Sequence, residues 1–204
     1  KNGVKASVLS FVPLNDNCEI SQLTLTNGSS EDKKLSVFSY VEWCLWNADD
    51  DMKNFQRNLS TGEVEVQDST IYHKTEYRER RNHYAIYSVN TKIDGFDTSR
   101  DAFLGAYRGA DSPEAVENGK CTNSMASGWS PIASHQINVD LAAGETKTFI
   151  FVLGYIENPE DEKWESYGVI NKTRAKEMLA KYQTDAQVDE AFAALQAYWK
   201  QLLA

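Results

Sequence analysis

The stretch Leu23-Thr-Leu-Thr-Asn-Gly-Ser-Ser30 decides the fold class of this chain. Its leucines alternate with β-branched threonines, which is the two-residue period of a strand that buries one face. Asn27-Gly28-Ser29-Ser30 then supplies the residue types that tight turns require. The pattern predicts a β-strand that ends in a turn, and similar patterns recur on both sides of it.

The next strand is predicted at Lys34–Trp43, and it carries apolar side chains on both faces. Leu35, Val37 and Val41 lie on one face, and Phe38 and Tyr40 lie on the other. Two apolar faces indicate a strand that is covered on both sides, as in a thick sandwich. Further strands are predicted at Val4–Phe11, Glu63–Gln67, Ile71–Thr75, Tyr84–Asn90, Gln136–Leu141 and Lys147–Tyr155, with Ala143-Gly144 as the last hairpin loop. Residues 1–158 are therefore expected to form a mainly β domain, a two-sheet antiparallel sandwich.

Between Ile93 and His135 the alternation disappears, and two short helical turns are predicted there instead. Thr98 or Ser99 is placed to cap Arg100–Leu104, and Ser112-Pro113 is placed to begin Glu114–Glu117. The composition changes again after Pro159, so residues 159–204 are predicted to be a helical linker. Its helices are Asn171–Tyr182 and a second one from Thr184-Asp185, whose apolar seam requires a neighbouring element. The seam consists of Val188, Phe192, Leu195, Trp199 and Leu202.

The net charge of -9 argues against nucleic acid or an anionic membrane as a partner, because both need a basic surface. No apolar run approaches the roughly 18 residues of a spanning helix. Cys18, Cys44 and Cys121 are far apart and show no metal-ligand spacing, which is typical of reduced, buried thiols in a cytoplasmic protein. The beginning reads as truncated and the end falls inside an apolar helical pattern, so we expect a segment of a longer polypeptide.

The stretch Trp46–Asn58 concentrates amides, carboxylates and an arginine around two aromatic residues. Sugar recognition requires this mixture, because planar polar groups bind hydroxyls and aromatic faces cover the C–H surface of the ring. A solvated loop in which Asp49–Asp51 caps a turn has the same composition and stays an alternative. The aspartates lack the alternate spacing and the glycine of a calcium loop, and adjacent carboxylates cannot flank one glycosidic bond.

A basic island in this acidic chain is formed by Lys74, Arg78, Arg80 and Arg81. Arginine forks can clamp phosphate, but Glu76 and Glu79 interleave with them, which favours a salt-bridged sheet edge or a subunit interface. His73, His83 and His135 show no metal spacing and no partner for nucleophilic catalysis, so each is interpreted as a structural or surface residue.

Two long strings resemble the N-terminal region of cellobiose phosphorylases: Phe38–Glu65, which includes Trp46-Asn-Ala-Asp-Asp-Asp51, and Ile71-Tyr-His-Lys-Thr-Glu-Tyr-Arg-Glu-Arg-Arg-Asn-His83. Ala126-Ser-Gly-Trp-Ser-Pro131 and Leu153-Gly-Tyr155 extend the resemblance to nearly the whole chain. It implies a galactose-mutarotase-like super-β-sandwich, then a helical linker that leads to an (α/α)6 barrel outside this sequence.

The resemblance also implies a function for the longer polypeptide. Such enzymes cleave cellobiose with inorganic phosphate and inversion, and their general acid and phosphate ligands lie in the barrel. No residue of this chain is therefore expected to be catalytic, no metal or cofactor is expected, and phosphate is a substrate. The resemblance further implies a homodimer in which an N-terminal loop of one subunit helps to close the partner's active site. Asn47, Asn54 and Arg57 are the residues expected to line the acceptor side. A stand-alone carbohydrate-binding module, or the same domain of a cellodextrin or chitobiose phosphorylase, stays open as an alternative.

Overall fold

A computed structural model of the protein describes residues 2–43, 62–74, 82–128 and 131–204. Its strands are β1 (Val4–Phe11), β2 (Cys18–Asn27), β3 (Lys33–Phe38), β4 (Val41–Glu42), β5 (Gly62–Gln67), β6 (Thr70–Lys74), β7 (His83–Val89), β8 (Gly95–Ser99), β9 (Ser127–Gly128), β10 (Pro131–Leu141), β11 (Thr146–Glu157), β12 (Trp164–Ser166) and β13 (Val169–Ile170). Its α-helices are α1 (Arg100–Leu104), α2 (Glu114–Glu117), α3 (Thr173–Leu179) and α4 (Asp185–Leu202), with 3-10 turns at Glu160–Glu162 and Ala180–Tyr182.

Two antiparallel sheets form the sandwich. In the described residues the large sheet has the strand order β1-β2-β11-β7-β6-β5-β9, and the small sheet has β10 at its centre with β3 and β4 on one edge and β8 on the other. The antiparallel pairing of every neighbour confirms the predicted fold class.

The predicted strand Lys34–Trp43 is present but interrupted. β3 and β4 pair with β10 in one continuous register, and Ser39 lies between them. The backbone N–H of Ser39 still donates to His135 O at 3.0 Å, but the N–H of His135 donates to the Ser39 hydroxyl instead of a backbone carbonyl. A serine side chain that replaces a backbone acceptor breaks the regular ladder, which is why the strand divides here.

The large sheet is covered on both faces. Tyr84 and Ile86 of β7 face one apolar core, and Tyr87 and Val89 of the same strand face another. The first core, here called the linker core, contains residues of α3 and α4; the second, the inter-sheet core, lies between the two sheets. The small sheet also has a covered outer face, where Phe38 and Tyr40 pack on residues of α1 and α2. Leu35, Val37 and Val41 pack in the inter-sheet core, so the predicted division of faces in this strand is confirmed.

The linker docks through the first half of its predicted apolar seam. Thr184 caps α4 in a capping box with Gln187, Val188 is fully buried, and the rings of Phe192 and Phe11 are 5.1 Å apart. Trp199 and Leu202 at the other end of the helix remain 49% and 59% exposed. The region from residue 159 is not wholly helical, because it begins with a 3-10 turn and the β12–β13 hairpin, which the periodicity did not predict. The domain boundary at 158/159 stays a prediction.

The long connection before β10 contains the two predicted helical turns and a strand, β8, that the sequence did not reveal. Asp97 of β8 is fully buried. A charged residue at a buried position interrupts the alternation of apolar and polar residues that would indicate a strand. The Asp97 carboxylate accepts hydrogen bonds from the backbone N–H and the hydroxyl of both Thr122 and Ser124, at 2.6 to 3.2 Å. The buried charge therefore fastens the connection onto the sheet. Ser99 occupies the N-cap position of α1, but its side chain makes no capping hydrogen bond, so that part of the prediction was wrong.

The predicted turn after β2 is organised by a buried side chain. The amide nitrogen of Asn27 donates to the carbonyls of Glu31, Leu141 and Ala142 at 2.8 to 3.1 Å, and its oxygen accepts from the N–H of Ser29. Because Asn27 is fully buried, these bonds satisfy polar groups that water cannot reach. One side chain thus joins the end of β2 to the β10–β11 hairpin.

Candidate functional site

A cleft of about 880 Å³ opens between the large sheet and the β12–β13 hairpin; we call it the linker cleft. It is lined by Glu63, Lys74, Ser127, Gly128, Trp164, Ser166, Tyr167 and Gly168. Three strand ends meet here, namely the start of β5 and the ends of β6 and β9. Of the residues that the sequence singled out, the lining of the cleft contains Lys74 of the basic island.

The predicted sugar-binding residues Asn47, Asn54 and Arg57 lie outside the described residues, as do Asp49–Asp51 and the three arginines of the basic island. Lys74 is the described member of that island. It is buried, and its ammonium group lies 2.9 Å from Glu65 Oε1 and 3.3 Å from Glu63 Oε2. The predicted salt bridging is therefore present at Lys74, but the predicted edge position is wrong for this residue, because β6 lies inside the sheet and pairs with both β5 and β7.

Glu65 stands between two buried ammonium groups, an arrangement we call the Glu65 brace. Its other oxygen, Oε2, lies 2.6 Å from Lys172 Nζ, and the side chains of Lys74 and Lys172 are only 7% and 4% exposed. The backbone N–H of Ile170 donates to Glu65 Oε1 at 2.9 Å. Lys74 belongs to β6 and Lys172 to the linker, so one carboxylate ties the sheet to the segment that follows the sandwich.

The remaining protons of the brace are also satisfied. Lys74 Nζ donates to the carbonyl of Gly168 at 2.6 Å, and Lys172 Nζ donates to the carbonyl of Ile170 at 3.1 Å. Lys172 also lies over the ring of Tyr72, 5.3 Å from its centroid. Two cations with one central carboxylate leave an excess positive charge, and the exposed carboxylate of Glu63 offsets it at the mouth of the cleft.

The pKa of Glu65 follows from this geometry. Burial alone would raise the pKa of the carboxyl, but hydrogen bonds from Lys172, from the Ile170 N–H and from Lys74 outweigh burial, and the pKa falls below its ordinary value. Glu65 is consequently ionised at neutral pH. Its role in the fold is that of a fixed anion between two cations.

Aromatic side chains form the linker side of the cleft. Trp164 is 39% exposed, and Tyr167, at the tip of the hairpin, is fully exposed. Lys163 Nζ lies 4.6 Å from the centroid of the Trp164 ring, and Lys74 Nζ lies 5.6 Å from it. Exposed aromatic rings beside a carboxylate and serine hydroxyls are groups that can contact a sugar, or a neighbouring protein surface.

The described residues offer little for bond-breaking chemistry. Burial raises the pKa of the Cys18 and Cys121 thiols to about 12, so neither forms the nucleophilic thiolate at neutral pH. Within the described ranges no cluster of His, Cys, Asp and Glu is arranged to hold a metal ion. Of the helices in the same ranges, none has the length and apolar composition that a bilayer crossing requires.

A second cleft of about 830 Å³ lies at the C-terminal end of β11, beside the linker. Its charged groups are largely engaged with one another. Asp16 accepts hydrogen bonds from Lys181 at 2.8 Å and from the Tyr182 hydroxyl at 2.6 Å, and Arg174 donates to the carbonyl of Glu157 at 2.8 Å. These contacts hold the linker against the sheet, so we place the candidate site in the linker cleft.

Sequence reasoning missed Glu65, Lys172 and Trp164. Glu65 alternates with valines in β5 and reads as a solvent-facing residue, and Lys172 reads as a surface lysine in the first turn of the predicted helix Asn171–Tyr182. A pairing across 107 residues leaves no local signal. Only the docking of the linker onto the large sheet brings the three residues together.

The family model and the curated relatives both point to sugar-cleaving enzymes. The family model described as glycosyl hydrolase 94, supersandwich domain, matches residues 1–185. An N,N'-diacetylchitobiose phosphorylase of Vibrio proteolyticus is 30% identical over 199 residues, which are 97% of this chain and 23% of that protein. A solabiose phosphorylase of Paenibacillus borealis is 26% identical over 202 residues, which are 96% of this chain and 24% of that protein. The chain thus spans about a quarter of the length of these curated relatives. A solved polysaccharide lyase superposes with a TM-score of 0.45 at 10% identity over 80% of this chain and 21% of its own, too weak a likeness to support an argument.

Proposed function

The chain belongs to the family of glycosyl hydrolase 94 supersandwich domains, and we propose that it is the non-catalytic N-terminal domain of an inverting cellobiose phosphorylase. The observation that carries the proposal is the near-complete alignment of this chain with two disaccharide phosphorylases, each about four times its length. Cellobiose is favoured as the substrate by the resemblance of Phe38–Glu65 and Ile71–His83 to cellobiose phosphorylases. Chitobiose is the runner-up, because a diacetylchitobiose phosphorylase is 30% identical.

The structure supports an accessory role in two ways. The Glu65 brace and the linker core attach residues 159–204 firmly to the sandwich, so the end of α4 has a defined direction. The exposed Trp199, Leu202 and Leu203 at that end form an apolar surface, which suits continuation into the barrel of the parent polypeptide. The domain then acts as a rigid platform for the catalytic barrel.

The acceptor-binding role of Asn47, Asn54 and Arg57 is part of the same proposal, together with the homodimer and the cytoplasmic location. Amide groups donate to and accept from sugar hydroxyls, and a guanidinium fork binds a hydroxyl pair or a carboxylate. In the complete enzyme, Asn54→Ala and Arg57→Ala are expected to raise the KM for the glucose acceptor in the synthetic direction by about tenfold, the loss of one good hydrogen bond. Lys34→Ala, on the exposed edge of β3, serves as the control. Unchanged acceptor KM in both loop variants would leave the domain a purely structural role.

Phosphate dependence tests the proposed activity directly. In the parent reaction a phosphate oxygen bonds to the anomeric carbon, the glycosidic C–O bond breaks, and a carboxylic acid of the barrel protonates the departing glucose. The complete polypeptide is therefore expected to consume cellobiose only when phosphate is present, and to release α-glucose 1-phosphate. Cleavage of cellobiose at an equal rate without phosphate would contradict the proposal. Phosphorolysis of diacetylchitobiose that is faster than that of cellobiose would identify diacetylchitobiose as the preferred substrate.

A carbohydrate-binding module is the second candidate function, favoured by the exposed Trp164 and Tyr167 in the linker cleft. Titration of the isolated chain with cello-oligosaccharides separates the two candidates. The phosphorylase proposal expects no measurable affinity without the barrel, whereas a module would bind and would lose affinity on Trp164→Ala. His83→Gln, outside the linker cleft, is the matched control for this substitution.

A further inference from the structure

The outer edge of β1 is a long, regular strand edge, and no described strand covers it. β1 is at the end of the large sheet and pairs with β2 through eight consecutive residues, with no bulge. Its sequence Val-Lys-Ala-Ser-Val-Leu-Ser-Phe contains one charge, Lys5, and no proline. Val8 is 61% exposed at this edge. Natural sheets avoid such edges, because an unpaired edge can form hydrogen bonds with a strand of another chain. We therefore expect a partner strand on the outer edge of β1.

The hydrogen-bonding pattern shows which groups that partner would meet. The backbone N–H of Gly28, the residue after β2, donates to Gly3 O at 2.8 Å. Gly3 and Gly28 are therefore opposite each other in a hydrogen-bonded pair. In an antiparallel ladder such pairs alternate along the strand. Lys5, Ser7 and Leu9 therefore direct their N–H groups to β2. The N–H groups of Ala6, Val8 and Ser10 point to the outer edge, where no strand in the described part of the chain pairs with β1.

The backbone immediately before β1 identifies the partner. Asn2 and Gly3 both have positive φ, 54° and 80°, which is the combination required at the two central positions of a type I′ turn. Asn-Gly is the preferred sequence for that turn, and a Cβ on Gly3 would lie 2.8 Å from Ser29 Cβ. Type I′ turns connect adjacent antiparallel strands. A chain entering β1 through this turn runs back along its outer edge.

We propose that the outer edge of β1 is covered by a strand of the same polypeptide, formed by the residues that precede Lys1 and joined to β1 by the Asn2-Gly3 hairpin. The inference rests on the proposed function in one respect, that the chain is part of a longer protein. A two-residue turn fixes the register: Ser7 pairs with the third residue before Lys1 in a non-hydrogen-bonded pair, and Val8 pairs with the fourth. The side chains of two directly paired residues lie on the same face of a sheet. Val4 and Val8 also share one face of β1, and Val4 packs in the inter-sheet core. The fourth residue before Lys1 is therefore expected to be apolar.

A second copy of this chain is the competing occupant of the edge. It is disfavoured because the segment that leaves the Asn2-Gly3 turn would occupy the space that a second β1 needs. The two occupants differ in their dependence on protein concentration, since a hairpin is intramolecular and a β1–β1 pair is not.

A cysteine pair in the complete polypeptide tests the register. Ser7→Cys, combined with a cysteine at the third residue before Lys1, is expected to form a disulfide under mild oxidation, because the Cα atoms of such a pair are about 4.5 Å apart. The control pairs Ser7→Cys with a cysteine at the fourth residue, whose side chain lies on the other face. We expect roughly tenfold more cross-link in the first protein than in the control. Equal cross-linking in the two proteins would overturn the inferred hairpin.

Amide hydrogen exchange in the unmodified polypeptide is the second measurement. The N–H groups of Ala6, Val8 and Ser10 are expected to exchange as slowly as those of Ser7 and Leu9, in the monomer and at every protein concentration. Fast exchange at these three positions alone overturns the proposal, and protection that disappears on dilution assigns the edge to a second copy. Neither result depends on phosphorolysis, so a phosphorylase with an open β1 edge would contradict this inference and leave the proposed function intact.

Discussion

Acidification from pH 7 to pH 4 is expected to unfold this domain, because two histidines in the inter-sheet core must stay neutral. His73 stacks on Trp43 with centroids 5.2 Å apart, and His135 stacks on Tyr87 at 5.0 Å. Burial lowers the pKa of His73 to about 4 and that of His135 to about 3, from an ordinary value of 6.5. The folded state resists protonation of both rings, whereas the unfolded chain accepts it.

The direction of the pH effect follows from proton linkage. Above pH 6.5 both states hold neutral histidines, and the free energy of unfolding is unaffected by them. Below pH 6.5 the unfolded state binds more protons, so stability falls by about 1.4 kcal/mol per pH unit for each histidine. The loss continues to about pH 4 for His73 and about pH 3 for His135. Over about two units the pair removes roughly 5 kcal/mol, comparable with the whole stability of an ordinary domain.

Replacement of one histidine tests this explanation. His73→Phe keeps the stacked ring beside Trp43 and removes the titrating group, so the acid midpoint in circular dichroism is expected to move down by about half a pH unit or more. His83→Gln is the control, because His83 lies beside the carboxylate of Glu157, at 3.5 Å, and outside the inter-sheet core. An equal shift in the two variants, or none in His73→Phe, would contradict the assignment to buried histidines.

Glu65→Ala is expected to reduce the free energy of unfolding by about 3 to 5 kcal/mol, since it leaves two buried ammonium groups without their anion. The effect should be strongest where the linker meets the sheet, because Ile170 N–H also loses its acceptor. Denaturant titration measures the total loss, and hydrogen exchange of Trp164–Ile170 measures the release of the hairpin. The native brace also weakens as the pH falls. Because the pKa of Glu65 is lower in the folded state than in the unfolded chain, its contribution to the free energy of unfolding is fully present above pH 4.5 and is lost when the folded state binds the proton.

Glu63→Ala is the matched control for this prediction. Glu63 also lies near Lys74, at 3.3 Å, but its side chain is 69% exposed, and an exposed pair contributes about 1 kcal/mol or less. A triple variant with Lys74→Met, Glu65→Leu and Lys172→Met is expected to recover most of the stability, since apolar packing replaces the whole ionic group. Similar losses for Glu63→Ala and Glu65→Ala would show that burial does not set the strength of the brace.

The extent of several elements could be predicted because local patterns encode them. β1 was predicted from its alternation with its observed bounds, and α4 was predicted to begin after Thr184, which does form its capping box with Gln187. β8 escaped prediction because its buried Asp97 is satisfied by partners about 25 residues away. The β12–β13 hairpin escaped prediction because each of its strands has three residues or fewer, too short for a period to be read.

The sequence by itself determined the fold class, the division of faces in Leu35–Tyr40, and the family resemblance, since each depends on residues that are close in the chain. Only the tertiary structure decided what Glu65 and Lys74 do. Lys172, the second cation beside Glu65, is 107 residues away from it in the chain, and ionic pairing needs atoms within a few ångströms. β5 and β6 are thereby joined to the linker at the other end of the chain. That connection is a property of three-dimensional packing, because no periodicity or composition records which lysine meets which carboxylate.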